Sequence, residues 1–318
     1  MKYLLVDVAN TFSRARYVAQ GDDLEMRTGM ALHIMLASVK RAQELFHAER
    51  VVYCLEGRSW RKDLYAKYKK HRHDARAALN PKDQIEDRAF WAALDSFNKF
   101  LLEQSGAAVL RHPQVEADDF IARWVQRHPD DEHIIASSDR DFFQLVAPNV
   151  RIFNGISKEI ISLDGITDDK MKPIIDKKTK ALKELGDPEW LLFEKCMRGD
   201  PGDNVFSAYP RVRKTQLQEA FQDRNSKGFK WNNLMLQRWL DHDGVEHRVF
   251  EDYERNRQLI DLAAQPDWVK AELDQIINGV DTHALTKAQT GLYFMKFCGK
   301  HGLDNIGQQA KDYMEIFR

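Results

Sequence analysis

Acidic residues in several separate segments are the part of this sequence best suited to chemistry. Oxygen-only ligands suit Mg²⁺ or Mn²⁺ better than zinc. Two such ions about 3.5–4 Å apart can activate a water and stabilise both the attacking and the leaving oxygen of a phosphodiester. If the segments converge in the fold, they predict a two-metal site for phosphodiester hydrolysis. The candidates fall in five segments: Asp7; Glu56; Glu116, Asp118 and Asp119; Asp139 and Asp141; Asp200 and Asp203.

Each acidic segment alone also has an ordinary structural explanation. Aspartates and glutamates after strands commonly cap helices, and acids in a first helical turn complement the helix dipole. The aspartates of RGDPGDN (198–204) lie among glycine and proline, which is typical of a turn. The recurrence of these acids in five segments favours the catalytic interpretation, because capping does not require all of them.

The elements that must position these acids follow a β-α-β pattern. Apolar, β-rich runs predict strands at 2–8, 50–56, 106–112 and 133–138, and helical spacing predicts helices at about 30–48, 83–105 and 116–128. A short helix at 139–146 and a hairpin of strands at 150–155 and 158–163 follow. Strands alternating with helices indicate a mostly parallel sheet, and a site in such a sheet lies outside the carboxyl ends of its strands.

The second half of the chain changes character. Strand signals fade after about residue 176, and helical patterns dominate from there. We therefore predict an α/β core at 1–180 and a helical region at 181–318.

Composition favours a folded, water-soluble protein. Hydrophobic residues make up 43% of the 318 residues and charged residues 31%. The N-terminus lacks the features of a signal peptide, and no apolar run is long enough to cross a membrane. Three widely spaced cysteines support neither a disulfide framework nor a zinc site, which indicates a reducing cytoplasm.

Positive charge is concentrated in one segment, although the net charge of the whole chain is only −1. Residues 57–76 contain eight basic residues against two acidic ones, interleaved with Trp60, Tyr65 and Tyr68. Such a mixture can bind phosphates and stack on bases, although a charged run is more often a solvated face. Directly after Glu56, this segment would lie over the acidic site.

Together, the ordered motifs resemble the 5′-nuclease superfamily, which comprises flap endonucleases, the 5′ exonuclease domain of bacterial DNA polymerase I and phage 5′ exonuclease/RNase H proteins. The order is an acid ending the first strand, an acid before W-R-K and Y-K-x-x-R, then E-x-D-D, S-x-D-x-D and G-D-x-x-D-N, over residues 7 to 204. The stretch 250–266 also resembles the phage RNase H branch. The resemblance implies a PIN-like fold with a helical gateway at about 58–85 and a degenerate helix-hairpin-helix at about 190–220.

By the same resemblance, each motif residue acquires an expected role. Asp7, Glu56, Glu116 and Asp118 would surround one Mg²⁺ or Mn²⁺ ion, and Asp119, Asp139, Asp141, Asp200 and Asp203 would serve a second, directly or through water. Lys69 and Arg72 would engage the scissile phosphate and the 5′ strand. Arg61, Lys62 and Tyr68 would join them in binding nucleic acid.

Two departures from the family pattern change these expectations. Glu56 stands where the family usually has Asp, and its longer arm can still reach a metal. The stretch 205–215 lacks the glycines of the family's hairpin, which argues against a K⁺ site there. Lys214 and Thr215 remain, so we still expect duplex contact at this point.

The leading hypothesis is a metal-dependent 5′→3′ exonuclease and flap endonuclease. Its substrates would be 5′-flap, nicked or branched DNA and RNA primers in RNA/DNA hybrids during replication, in the cytoplasm of a bacterium or a phage-infected one. A monomer is expected, with a single-strand-binding protein or a clamp as helper. One alternative is a non-catalytic branched-DNA-binding protein on the same fold. A phosphatase of the haloacid-dehalogenase type is disfavoured, because its Asp-x-Asp motif would need an acid at position 9, which is Ala9.

Overall fold

The computed structural model describes residues 1–280 and 285–317. The strands are β1 (Lys2–Asp7), β2 (Arg50–Cys54), β3 (Ala108–Leu110), β4 (Glu132–Ala136), β5 (Val150–Asn154), β6 (Glu159–Ser162), β7 (Gly165–Asp168), β8 (Arg238–Leu240) and β9 (Glu246–Arg248). The helices are α1 (Val8–Val18), α2 (Leu24–Phe46), α3 (Arg61–Leu64), α4 (Lys70–Ala77), α5 (Pro81–Gln104), α6 (Ala117–Arg127), α7 (Pro188–Arg198), α8 (Lys214–Gln222), α9 (Phe229–Met235), α10 (Val249–Ile260), α11 (Asp267–Gly279), α12 (Lys287–Lys300) and α13 (Asp304–Gln308). Shorter 3₁₀ helices cover Arg140–Leu145, Pro201–Asp203 and Ala310–Phe317.

The chain divides into two compact units. The α/β unit consists of Met1–Ser59, Leu79–Leu185 and Asp267–Arg318. The helical unit consists of Trp60–Ala78 and Gly186–Pro266. Each unit is therefore assembled from separate stretches of chain.

A seven-stranded sheet forms the centre of the α/β unit. Its order is β3-β2-β1-β4-β5-β6-β7, and the first five strands run parallel. Val6 of β1 lies opposite Tyr53 of β2 on one side and Ala136 of β4 on the other. The strands β5, β6 and β7 then form an antiparallel meander. The predicted mostly parallel sheet and the predicted hairpin of late strands are confirmed.

The central strands are parallel because their side chains are apolar on both faces. Leu4 and Leu5 are consecutive and fully buried, as are Val51 and Val52 of β2. Continuous apolar runs of this kind fit a sheet covered by helices on both sides. One helix escaped prediction: α1 begins at Val8, directly after β1 and without a loop.

The C-terminal helices complete the core of the α/β unit. Phe294 and Phe317 pack against Phe100 of α5, and the ring of Phe317 stacks on that of Tyr53 in β2. The predicted division placed residues 267–318 in the helical region, whereas the structure places them with the sheet. The reason is this aromatic face, which supplies core that α2 and α5 alone do not.

A separate apolar core holds the helical unit together. Phe193 and Met197 of α7 pack with Leu217 of α8 and Leu234 of α9, so the predicted helical character is confirmed. The antiparallel pair β8–β9 was not predicted. Within the described residues, no helix has the length and hydropathy that crossing a membrane requires.

Candidate active site

Four parallel strands bring acidic residues to the end of the sheet at which the carboxyl termini of the strands lie. We call this end the acidic edge. Asp7 is the last residue of β1, Glu56 lies two residues after β2, and Asp139 lies three residues after β4. Glu116 follows β3 after a longer loop and precedes α6. Because the strands are parallel, their carboxyl ends meet at this edge, as the sequence predicted.

Asp7 is the buried acid at the middle of the edge. Its side chain is only 4% exposed. One carboxylate oxygen, Oδ1, accepts a hydrogen bond of 3.1 Å from the N–H of Asn10 and so caps α1. The other, Oδ2, accepts one of 3.0 Å from the Ser137 hydroxyl. Asp7 is therefore a helix cap, as the ordinary explanation required, and at the same time a component of the acidic edge.

Ser137 connects Asp7 to the loop after β4. While its hydroxyl donates to Asp7, its Oγ accepts a hydrogen bond of 3.1 Å from the N–H of Asp139. The Asp139 carboxylate in turn accepts a hydrogen bond of 2.9 Å from the N–H of Asp141, at the start of the 3₁₀ helix Arg140–Leu145. A single hydroxyl thus orients acids from two strands.

Glu56 reaches the start of α6. Its Oε2 accepts a hydrogen bond of 3.1 Å from the N–H of Ala117. The chain can follow this course because the next residue is Gly57. A Cβ at position 57 would lie 2.1 Å from the carbonyl oxygen of His112 and 2.6 Å from that of Val115. The close backbone approach therefore places Glu56 beside the acids of α6.

Two of the three acids at the start of α6 are the most deeply buried of the set. Glu116 is 2% exposed and Asp119 is fully buried, whereas Asp118 is half-buried. Glu116 accepts a hydrogen bond from the Ser59 hydroxyl. Burial, and then the negative charges of Asp7 and Asp118, raise the pKa of the Cys54 thiol well above its ordinary value. The carboxylates of Asp7 in β1 and Asp118 in α6 therefore both lie near the Cys54 thiol at the end of β2.

Asp203 organises the basic residues of the helical unit. It accepts a hydrogen bond of 3.0 Å from the Tyr68 hydroxyl, and the Arg72 guanidinium donates to its other oxygen. The Lys69 ammonium lies 3.6 Å from its Oδ2. The two basic residues expected to bind phosphate therefore share one aspartate.

Asp200 lies in the same turn and is held by a lysine. Burial raises its pKa, but an ion pair of 2.9 Å with Lys195 and the N–H of Gly202 lower it more, so the pKa of Asp200 is below its ordinary value. Asp200 is therefore ionised at neutral pH.

Two residues predicted to bind nucleic acid are buried instead. Arg61 is 1% exposed, and its Nε donates 2.9 Å to the carbonyl oxygen of Leu259. Tyr68 is 4% exposed and packs with Cys196 and Leu259. Each side chain anchors the basic segment to the rest of the helical unit, which the local pattern of charge does not reveal. Contact of these two side chains with nucleic acid stays a prediction.

The other predicted nucleic-acid residues are accessible. Lys62 and Arg72 are exposed, and Lys69 is half-buried. Lys214 and Thr215 are the exposed first two residues of α8, which a connection at 199–213 joins to α7. Their contact with duplex remains a prediction.

Sequence reasoning missed three residues that orient the acids. Ser137 entered only as a letter of the S-x-D-x-D motif, although its position two residues before Asp139 was a usable signal. Ser59 and Asn10 carried no signal, because their partners Glu116 and Asp7 are identified only by the fold.

Comparison with known proteins identifies the family. Residues 2–173 match the model of the 5′-3′ exonuclease, N-terminal resolvase-like domain. The DNA polymerase I of Rhizobium leguminosarum is 28% identical over 157 residues, which are 49% of this chain and 13% of that protein. The chain thus spans about an eighth of this curated relative.

Solved structures of a bacteriophage T5 enzyme share the fold. The T5 5′-exonuclease with bound zinc has a TM-score of 0.61 at 17% identity, covering 88% of this chain and all of that one. The T5 flap endonuclease in a pseudo-enzyme-product complex with DNA and metal ions has a TM-score of 0.60 at 16% identity, covering 89% of this chain and 100% of that one.

The family match covers more than half of the 318 residues, and the parallel sheet with acids at the carboxyl ends of its strands agrees with it. The chain belongs to the 5′-3′ exonuclease family, within the 5′-nuclease superfamily.

Proposed function

We propose that this protein is a divalent-metal-dependent 5′→3′ exonuclease and structure-specific flap endonuclease. The observation that carries the proposal is the group of buried carboxylates at one sheet edge, Asp7, Glu116 and Asp119, at most 4% exposed. Burying carboxylates is costly unless cations neutralise them. An oxygen-only donor set fits Mg²⁺ or Mn²⁺, and the site lies within the part of the chain that matches the family.

Asp7, Glu56, Glu116 and Asp118 would hold one ion, since all four belong to the α/β unit and lie at its acidic edge. Ser137 and Ser59 orient two of these carboxylates, as ligand-supporting groups commonly do. When bound, the ions supply Lewis-acid stabilisation of the charge that develops on the phosphate oxygens.

Lys69 and Arg72 are the proposed contacts of the scissile phosphate. Arginine presents a planar fork of donors that matches phosphate geometry, and lysine adds a point charge. Both now bind Asp203, so a phosphate would compete with that carboxylate for them.

The proposed substrates follow from the family, and the proposed helpers follow from the net charge of only −1, which predicts modest affinity for nucleic acid. The substrates are 5′-flap, nicked or branched DNA and RNA primers in RNA/DNA hybrids during replication. The protein would work as a monomer in a bacterial cytoplasm, assisted by a single-strand-binding protein or a clamp. Unchanged cleavage when either helper is added would contradict that last point.

Cleavage of end-labelled 5′-flap, nicked-duplex and RNA/DNA-hybrid substrates tests the proposal. Wild type with Mg²⁺ is compared with wild type in EDTA, with Asp141→Asn and with Asp95→Asn. Asp95 is an exposed acid of α5 and serves as the matched control. We expect Mg²⁺-dependent release of 5′ products that Asp141→Asn abolishes and Asp95→Asn retains.

The alternative of a non-catalytic binding protein makes the opposite prediction. If wild type binds the flap tightly in Mg²⁺ or Mn²⁺ but cuts none of the three substrates, the enzymatic proposal is refuted and the binding protein takes its place.

A further inference from the structure

A lysine-rich hairpin lies beside β7, the outermost strand on one side of the sheet. We call residues 170–183 the lysine hairpin: they contain six lysines and one acid, Asp176. The hairpin is joined to β7 by backbone hydrogen bonds, from Ile174 N–H to Ile166 O (3.0 Å) and from Ile166 N–H to Lys183 O (3.0 Å). It is therefore built as part of the α/β unit.

The single acid of the hairpin is occupied by its turn. The carboxylate of Asp176 accepts hydrogen bonds from the N–H groups of Thr179 and Lys178 and from the Thr179 hydroxyl, which lower its pKa. This carboxylate fixes the turn at which Lys177, Lys178 and Lys180 project. It stays ionised but is directed at the backbone, so it neutralises none of these ammonium groups directly.

Five of the six hairpin lysines are exposed, and Lys183 is half-buried. Within residues 1–280 and 285–317, no carboxylate lies within 4.0 Å of five of their ammonium groups; only Lys183 has such a partner, Glu159. Like charges so close together repel one another, and the negative charge of a bound polyanion relieves that repulsion. The counterions that the polyanion releases add to the free energy of binding. The five are Lys170, Lys172, Lys177, Lys178 and Lys180.

An apolar pair lies between the lysines. Ile175 and Leu182 face each other across the two arms of the hairpin, and they are 58% and 59% exposed. Apolar side chains beside cations suit a chain that has charged phosphates and apolar faces on its sugars and bases. A surface that binds phosphate alone would not need them.

A groove connects the hairpin to the acidic edge. Its volume is about 480 Å³, and it extends from Ser137 and Asp139 to Lys183 at the base of the hairpin. Its lining includes apolar side chains such as Ile161 and Ile166, and two exposed arginines, Arg14 and Arg140. Pockets for one small ligand have about 300–1,000 Å³, so the groove is large enough for nucleotide-sized units.

From these features we propose that one polynucleotide strand of the substrate runs from the acidic edge along this groove to the lysine hairpin. Arg14, Arg140 and the hairpin lysines bind its phosphates, and Ile175 and Leu182 contact its sugars or bases. The inference rests on the proposed function, because the strand begins at the predicted metal site. An acidic protein would satisfy the charges but would not explain a groove that leads to Asp139.

Charge removal on the hairpin tests the inference. Four exposed lysines are replaced together: Lys170→Gln, Lys177→Gln, Lys178→Gln and Lys180→Gln. A matched control loses the same charge from α5, α12 and the C-terminal segment of the same unit: Lys99→Gln, Lys296→Gln, Lys300→Gln and Lys311→Gln.

Binding is measured without metal, by fluorescence anisotropy between 50 and 200 mM salt, on a single-stranded oligonucleotide, a blunt duplex and a 5′ flap. Each phosphate contact with a single strand contributes about 0.7 to the slope of log K against log salt, so losing two to four contacts lowers it by about 1.4 to 2.8. We expect this loss for the oligonucleotide and the flap. In Mg²⁺, the KM for flap cleavage should rise on the order of tenfold or more with kcat unchanged.

Two results would overturn the inference. One is a hairpin variant whose slope and KM equal those of the control; the other is a loss confined to the blunt duplex. Neither result contradicts the proposed function, provided that wild type cuts the flap. If wild type cuts no substrate, the proposed function is refuted, but the binding measurement still tests the inference.

Crosslinking provides a second measurement that does not depend on removing charge. The three native cysteines are buried, so Thr179→Cys offers one accessible thiol for a photo-crosslinker at the turn. We expect crosslinks to the single-stranded arm of a bound flap. Bound flap without crosslinks to that arm would contradict the proposed path.

Discussion

Gly57→Ala is the substitution whose effect follows most directly from the structure. The added Cβ would lie 2.1 Å from the carbonyl oxygen of His112 and 2.6 Å from that of Val115, and Cβ atoms essentially never come closer than 3.0 Å to such atoms. Both neighbours are backbone, so no side chain can turn away. The backbone at position 57 and the backbone at His112 must therefore move apart by about 0.9 Å.

That separation acts on stability and on the acidic edge together. Overpacking of this kind costs typically 1–3 kcal/mol, and we expect a loss in the unfolding free energy of about that size. Glu56 precedes Gly57 and Glu116 follows Val115, so the shift moves two predicted metal ligands apart. A misplacement of about 1 Å can cost on the order of 10²-fold in rate, which is the loss of flap cleavage that we expect.

Urea unfolding and the rate of flap cleavage measure the two effects. Gly299→Ala is the matched control, because a Cβ there meets nothing within 4 Å and the residue lies inside α12. Alanine in a helix interior is better than glycine by roughly 0.5–1 kcal/mol, so the control should be neutral or more stable. If Gly57→Ala unfolds at the wild-type urea concentration and cuts at the wild-type rate, the close approach does not position Glu56.

Three further predictions concern the α/β unit. Ser137→Ala removes the hydroxyl between Asp7 and Asp139, so we expect the Mg²⁺ concentration for half-maximal cleavage to rise about 10–100-fold. An unchanged Mg²⁺ titration would contradict this. Arg123→Met breaks the paired hydrogen bonds to Asp274 that join α6 to α11, and should lower the unfolding free energy by about 1–3 kcal/mol in urea, with Lys99→Met as the control. Burial, and then the Lys300 charge, lower the pKa of His301 to about 4 from an ordinary 6.5, so the folded protein favours the neutral ring. The stability that the neutral His301 ring contributes is complete above pH 6.5 and is lost as the pH falls towards 4. If the urea midpoint of His301→Gln falls as steeply over this range as the midpoint of wild type, the prediction is refuted.

The parallel sheet could be predicted because its strands carry their own signal. Leu4, Leu5, Val51 and Val52 form continuous apolar runs, and an acid follows each run. Convergence of the acids followed from strand direction alone. No contact needed to be known in advance.

The parts that escaped prediction depend on partners distant in sequence. Arg61 is held by a carbonyl 198 residues later and Tyr68 by an aspartate 135 residues later, so a run of basic residues gave no sign that these two are buried. The strands β8 and β9 have three residues each, too few for an alternating pattern. Helical spacing predicts helices near Phe294 but not which core they join.

The return of the C-terminal segment to the sheet has a consequence during synthesis. The Tyr53 hydroxyl in β2 donates to the carbonyl oxygen of Ile316, a partner 263 residues further along the chain. At about 5–20 residues per second, a ribosome adds that partner roughly 13–50 s after Tyr53. Until then the aromatic core around Tyr53 and Phe100 lacks Phe317, and a chain released before residue 267 never completes it. Translation to the end of this segment is therefore a condition for a complete core in the α/β unit, and a prematurely terminated product would be exposed to proteolysis.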